Sequence, residues 1–487
     1  MRAFPLIVPA WALLLLASCG NDIQTRSEEP QTVAATPTRA RTPGGMYISW
    51  KEHLIDDQQL SGGIPLRGTD GLQMADFDKD GYMDVVSVHE DSSHVRIAFG
   101  TADPDRWELV TLAEGDEAGA AEDAAVGDLN GDGFPDIIVA CELAHLIYFQ
   151  NPGKSARTER WARTIPENTK NRGSFIRVFF ADLNKDGRLE VVAANKGEQS
   201  PTVVPGDELK QKHPNKEISW FQPPANPLNV KAWKETVLTR IEVPINAQPV
   251  DLDGDGDLDI LAGSRWDARS FWFENLGGKR IRFREHRVEV IDRNVPWQRG
   301  AKRLTAFMVD FFDLSGDGRL DIVMNESPTL LIWLEQPARF EDPWQIHKIG
   351  SIAPDSPTGI AIADIDGDSR PDVMTGGYSQ NPRDHDGENI DAESVAGRLA
   401  WFQNSGDPKG TWVRHDISRT KRGMYDAFLA RDMDGDGDLD FIATRGNTGN
   451  FDGVFWLEQV RTSVPAISFQ PAREVESAHL PLPAGER

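Results

Sequence analysis

The chain has 487 residues, 39% of them hydrophobic, with 77 acidic against 52 basic side chains and a formal net charge of −25. So acidic a protein is not built to track a nucleic-acid backbone or to adhere directly to anionic headgroups. It has only two cysteines, Cys19 and Cys141.

Arg2 precedes an apolar run from Leu6 to Leu16 and then Ala17-Ser18-Cys19. The run is too short to cross a bilayer core of roughly 30 Å as a helix, and reads as a secretory core ahead of a cleavage point. Leu16-Ala17-Ser18-Cys19 resembles the bacterial lipobox, which implies removal of residues 1–18, acylation of Cys19 and a membrane anchor. Gly20 in place of aspartate implies no inner-membrane retention, so the expected location is the outer membrane or cell surface. Cys141 then has no intramolecular partner, and disulfides do not hold the exported protein together. Residues 19–45 are Ser-, Thr-, Pro- and charge-rich, which predicts a flexible tether.

From there the chain repeats itself. A nine-residue element recurs seven times: DFDKDGYMD from Asp76, DLNGDGFPD from Asp128, DLNKDGRLE from Asp182, DLDGDGDLD from Asp251, DLSGDGRLD from Asp313, DIDGDSRPD from Asp364 and DMDGDGDLD from Asp432. Each is flanked by short apolar runs, FIRVFFA before and VVAA after the third for example. A third run carries aromatics, as at Tyr148-Phe149, Trp220-Phe221, Trp272-Phe273, Trp333-Leu334, Trp401-Phe402 and Trp456-Leu457, and a fourth often opens with tryptophan. Four short strands per repeat without helical periodicity predict an all-β fold, a seven-bladed β-propeller with four-stranded antiparallel blades over residues 46–460. Most aromatics should then be core. Ile48–Leu54 matches the Trp-led fourth strands and is expected to close blade seven, with 466–475 of the 461–487 tail as the competing edge strand.

Calcium takes six to eight oxygens in a flexible shell, and the repeated element supplies them from a tight turn. Positions one, three, five and nine offer side-chain oxygens, while glycine at position six permits the reversal. The ligand sets are Asp76, Asp78, Asp80 and Asp84; Asp128, Asn130, Asp132 and Asp136; Asp182, Asn184, Asp186 and Glu190; Asp251, Asp253, Asp255 and Asp259; Asp313, Ser315, Asp317 and Asp321; Asp364, Asp366, Asp368 and Asp372; and Asp432, Asp434, Asp436 and Asp440. An EF-hand is excluded, because position twelve is Ser87, Val139, Ala193, Ala262, Met324, Thr375 or Ala443 and never acidic. Up to seven structural calcium ions are expected, bound most weakly where Ser315 and Ser369 break the pattern.

The loops, blade length and strand pattern resemble FG-GAP (VCBS-type, integrin-α-like) propeller repeats, whose loops between first and second strands bind calcium. The Phe-Gly pair itself is clean only at Phe99-Gly100, so integrin-type ligand binding does not carry over.

Loops on the face opposite the aspartates are more basic. Residues 291–303 and 418–424 are each net +3, although 113–123 is −5. Candidate ligand contacts there are Lys196, Arg265, Trp266, Trp297, Arg303, Tyr378, Arg422 and Arg445. Arginine forks suit carboxylates and sulfates, and tryptophans can stack on sugars. Two functions follow: a binding module for an anionic glycan or protein partner, or a polysaccharide lyase. The lyase would use Arg265 or Arg445 with Tyr378, Tyr425 or His89 as base. No hydrolase, zincin, P-loop or dinucleotide motif is present, and nucleic acid is not an expected partner.

Overall fold

Each nine-residue element reverses the chain, so the β-prone runs on its two sides pair antiparallel. A computed structural model describes residues 30–142, 145–197, 215–265, 270–291, 304–326, 328–379, 382–473 and 477–486. Cys19, Trp266, Trp297 and Arg303 lie outside the described residues.

Seven sheets result. Blade one runs Thr69–Ala75, Asp84–His89, His94–Phe99 and Glu108–Glu114, each strand antiparallel to the next. The same meander builds blade two (Ala121–Gly127, Asp136–Cys141, Leu146–Gln150, Ala162–Thr164) and blade three (Ser174–Ala181, Glu190–Gly197, Asn215–Gln222, Lys234–Glu242). It recurs in blade four (Pro244–Val250, Asp259–Ser264, Ser270–Asn275, Phe283–Arg287) and blade six (Ser356–Ala363, Asp372–Tyr378, Gly397–Gln403, Val413–Thr420). Blade five (Val309–Phe312, Asp321–Glu326, Leu330–Glu335, Trp344–Ser351) gains a fifth strand, Val290–Ile291, parallel to its outer edge.

Blade seven closes the ring. Phe428–Arg431, Asp440–Arg445 and Gly453–Thr462 are completed by the N-terminal strand Tyr47–Asp57, which pairs antiparallel along its length from Tyr47↔Thr462 to Asp57↔Gly453. The competing C-terminal segment does not displace it. Phe469–Gln470 instead adds a parallel fifth strand outside it.

The free tether expected over residues 19–45 is corrected from Thr32 onward. Val33, Ala34 and Ala40 are buried, Val33 N–H donates to Leu480 O at 3.0 Å, and Thr38 N–H donates to Ala466 O at 2.8 Å. The few apolar side chains of this stretch suffice because the C-terminal tail covers them.

Alternation along each strand sends neighbouring side chains to opposite faces of a blade, so every sheet contributes to two cores. In Asp136–Cys141, Ile137, Val139 and Cys141 pack against blade one, while Ile138 and Ala140 pack against blade three. Seven such clusters among the described residues fill the seven blade-to-blade gaps. The third-strand tryptophans are core, as expected: Trp272, Trp333, Trp401 and Trp456 lie against His286, His347, His415 and His53 of the adjoining strand, with ring centroids 4.6, 4.3, 4.5 and 4.0 Å apart.

Candidate functional site

The geometry of the aspartate loops follows directly from their sequence. The position-one carboxylate caps the turn: Asp76 accepts from Asp80 N–H at 3.0 Å and from Gly81 N–H at 3.0 Å. Position six is left-handed in every loop, including Ser369 (φ 69°), which donates its N–H to Asp364 at 2.9 Å as the glycines do. The break in loop six is therefore chemical but not geometric.

Position nine has a structural role of its own. Its buried carboxylate clamps the start of its own loop to the end of the third strand. Asp259 accepts from Leu252 N–H at 3.1 Å and Asn275 N–H at 2.7 Å, and Asp440 accepts from Met433 and Gln459 N–H, both at 2.8 Å. In blade one the second donor is Gly100 N–H at 2.9 Å, the glycine of the Phe-Gly pair. The residues that replace this glycine keep its N–H and add an amide. Asn275 Nδ2 reaches back to Leu183 O of the preceding loop at 2.8 Å, and Gln336 Nε2 likewise reaches Leu252 O at 2.8 Å. These amides thus tie neighbouring blades together, each through a buried hydrogen bond whose loss would cost about 1–3 kcal/mol. Blade three has Pro223 at this place, which has no N–H, and there the longer Glu190 makes only the loop bond, to Leu183 N–H at 3.0 Å.

Do these residues fit a hard cation? In loops one, four, six and seven, three carboxylates bring an oxygen within 4.8 Å of one another: Asp76, Asp78 and Asp84; Asp251, Asp253 and Asp255; Asp364, Asp366 and Asp372; Asp432, Asp434 and Asp440. Oδ1 of Asp251 is buried without a hydrogen-bond partner. Burial pushes the position-nine carboxyls up, Asp372 to about 8, Asp84, Glu190 and Asp259 to about 7, and Asp136, Asp321 and Asp440 to about 6. A cation in the loop would supply the opposite charge these groups lack. The donor set fits calcium best in these four loops. Loops two, three and five substitute Asn130, Asn184 and Ser315 for one carboxylate. In loop one Arg157 already engages Asp78 at 2.5 Å and Asp80 at 2.7 Å, so a cation there competes with a guanidinium.

On the opposite face the predicted contacts separate. Arg265, just past the second strand of blade four, is exposed, with its guanidinium 5.6 Å from the Phe307 ring centre. Tyr378 ends the second strand of blade six, and its hydroxyl accepts from Arg383 Nη2 at 3.3 Å. Lys196 is buried against Glu142. Lys196, Arg422 and Arg445 are not open contacts, which corrects that expectation. Arg422 is buried against Asp386 at 3.0 Å, and Arg445 is buried between Glu52 and Phe451 O. A net loop charge says nothing about where a guanidinium points: Arg422 holds the segment joining the second and third strands of blade six, through Asp386, and Arg445 holds the N-terminal strand, through Glu52. The bases considered for a lyase narrow too: His89 and Tyr425 are buried, and His89 is held by Thr69 and Ser87 at 2.8 and 3.1 Å.

Several residues at this end were not singled out from sequence. Asp70, Glu90, Glu122 and Asp426 converge near the axis, with Arg177, Arg383 and Asp91 around them. Burial, reinforced by Glu90 and Asp426, pushes Glu122 up to about 8, and burial likewise raises Asp70, Glu90 and Asp426. The acidic stretch 113–123 was the one local sign of them. Arg177 shares the Phe307 ring with Arg265, at 4.8 Å.

The FG-GAP-like repeat family matches residues 76–139, 251–324 and 313–375. No curated protein matches the chain. Solved structures similar to it include YCF48 from Cyanidioschyzon merolae, 9% identical over 84% of this chain and 98% of that one, with a TM-score of 0.47. Another is the Cps50 (Swd1) β-propeller domain from Myceliophteria thermophila, 10% identical over 84% of this chain and 99% of that one, with a TM-score of 0.43.

Proposed function

Since the chain is a seven-bladed propeller with FG-GAP-like repeats in three regions, we propose that it works as a calcium-stiffened, non-catalytic interaction module. Calcium in the aspartate loops locks first to second strands, and the opposite face holds the partner. The observation that carries this reading is the asymmetry between the two ends: one is spent on repeated local turns, while the other gathers unrepeated charged side chains from blades one, two, three, four, six and seven. Arg265 beside Arg177 and Tyr378 beside Arg383 suit an anionic partner, for which an acidic glycan is the best-matched class. Acylation at Cys19 would tether the module to the bacterial envelope, and membrane fractionation of a Cys19→Ala variant checks this: the variant should leave the pellet. Among the described residues no helix is long and apolar enough to cross a membrane.

The test is a screen of the lipid-free protein against acidic and neutral glycans that records binding and product release together. Binding should weaken with salt, since exposed charges are screened over about 8–10 Å. Arg265→Ala should weaken it by about 10-fold, with the thermal melt unchanged. A ligand indifferent to both salt and Arg265 would place recognition elsewhere, and release of unsaturated sugar would mark a lyase instead.

A further inference from the structure

We infer that the axial end opposite the aspartate loops holds a separate cation site, a hard divalent ion bound between Asp70, Glu90 and Glu122 with Asp426 beside them. One carboxylate oxygen of each of the first three lies within 4.8 Å of the other two. The residues arrive from separate places: Asp70 in the first strand of blade one, Glu90 just past its second strand, Glu122 in the first strand of blade two, and Asp426 just before the first strand of blade seven. None belongs to a repeated element. All sit where first strands begin or second strands end, whereas the aspartate loops join the other ends of those strands.

Crowded carboxylates alone mean little, but Asp70 and Asp426 each bury one oxygen that the fold leaves without a partner. Asp70 is 6% exposed, and its Oδ2 is buried without any hydrogen-bond donor; Oδ1 of Asp426 is buried in the same condition. Among the described residues none of the four forms an ion pair. The surrounding cations are engaged one step further out: Lys196 with Glu142, Arg383 with Asp91 at 3.0 Å, and Arg177 with Asp123 at 3.5 Å. Like charges so placed repel strongly unless something positive sits among them. An all-oxygen, all-carboxylate donor set selects calcium, magnesium or manganese over the softer metals. Glu90 and Glu122 are only half-buried, so the ion keeps a side open to water or to an anionic group of a partner.

The rival is a proton shared by Asp70 and Asp426 with no metal. Manganese titration of the full chain, followed by the loss of free Mn²⁺ signal in electron paramagnetic resonance, separates the two. A variant carrying Asp70→Asn and Glu122→Gln should bind one ion fewer per chain than the unaltered protein. A loop variant, Asp251→Asn with Asp255→Asn, should keep the axial ion, which makes the result independent of whether the loops are metal sites. If the double variant does not fold, anomalous diffraction from Mn²⁺-soaked crystals of the unaltered chain decides, with a peak expected between the three carboxylates. Equal stoichiometry in a folded double variant, or no peak there, overturns the site and leaves the shared proton.

Discussion

Chelating calcium is expected to lower the melting temperature by about 10 °C or more. A ligand bound only by the folded state stabilises it by RT ln(1 + [L]/Kd), about 2.7 kcal/mol per site at a hundredfold excess over Kd. Four loops bring three carboxylates together, at Asp76, Asp251, Asp364 and Asp432, so their shares accumulate to roughly 10 kcal/mol when all are filled. A kilocalorie moves the midpoint by only a few degrees or less in so long a chain, yet several sites acting together give a large shift. Calorimetry in chelator against millimolar calcium measures it. Superimposable scans would reject the structural role of calcium. Asp251→Asn should remove only one loop's share, a graded response that distinguishes site binding from a general salt effect.

Replacing Asp355 with alanine should destabilise the protein by about 3–5 kcal/mol, the usual cost of stranding buried charge. Asp355 is fully buried and accepts both arms of the equally buried Arg419, at 2.7 and 2.8 Å, with Arg398 at 3.5 Å. Arg419 also donates to Pro481 O at 3.0 Å, and Arg398 reaches Glu486 at 3.4 Å, so the cluster fastens the C-terminal tail to blade six. Chemical denaturation of Asp355→Ala reads the loss. Loosening should begin at the tail, giving faster proteolysis near its end than in the blades. A variant as stable as the parent would mean that water replaces the carboxylate without penalty.

What could be read in advance was what is local. Nine contiguous residues specify a turn, seven copies specify a ring, and Ile48–Leu54 resembles its fellow outer strands because it meets the same environment. The axial cluster was illegible for the opposite reason: Asp70, Glu122 and Asp426 are single residues at strand ends of different blades, without a common pattern. Arg422 and Arg445 misled because loop charge does not encode direction. The stretch from Thr32 to Gly45 misled because its burial depends on a surface formed by Phe469 and Leu480, more than 400 positions away. In the sequence, the Asn and Gln residues after the third strands show only that the Phe-Gly pair is absent there. Only the bonds from Asn275 and Gln336 to the preceding loops reveal a gain.

The closure of blade seven also sets an order of events. Ser49 bonds to Val460, 411 positions later, and the strand between them and the tail is covered only once Phe469 follows. At about 5–20 residues per second, a growing chain presents the Tyr47–Asp57 edge unpaired for roughly 20–80 s. During that interval it is a bare template for any other strand. The last blade to be synthesised is therefore the one that ends the hazard, and a chain that stops before Gly453 keeps both its first strand and the open side of its ring available to neighbours.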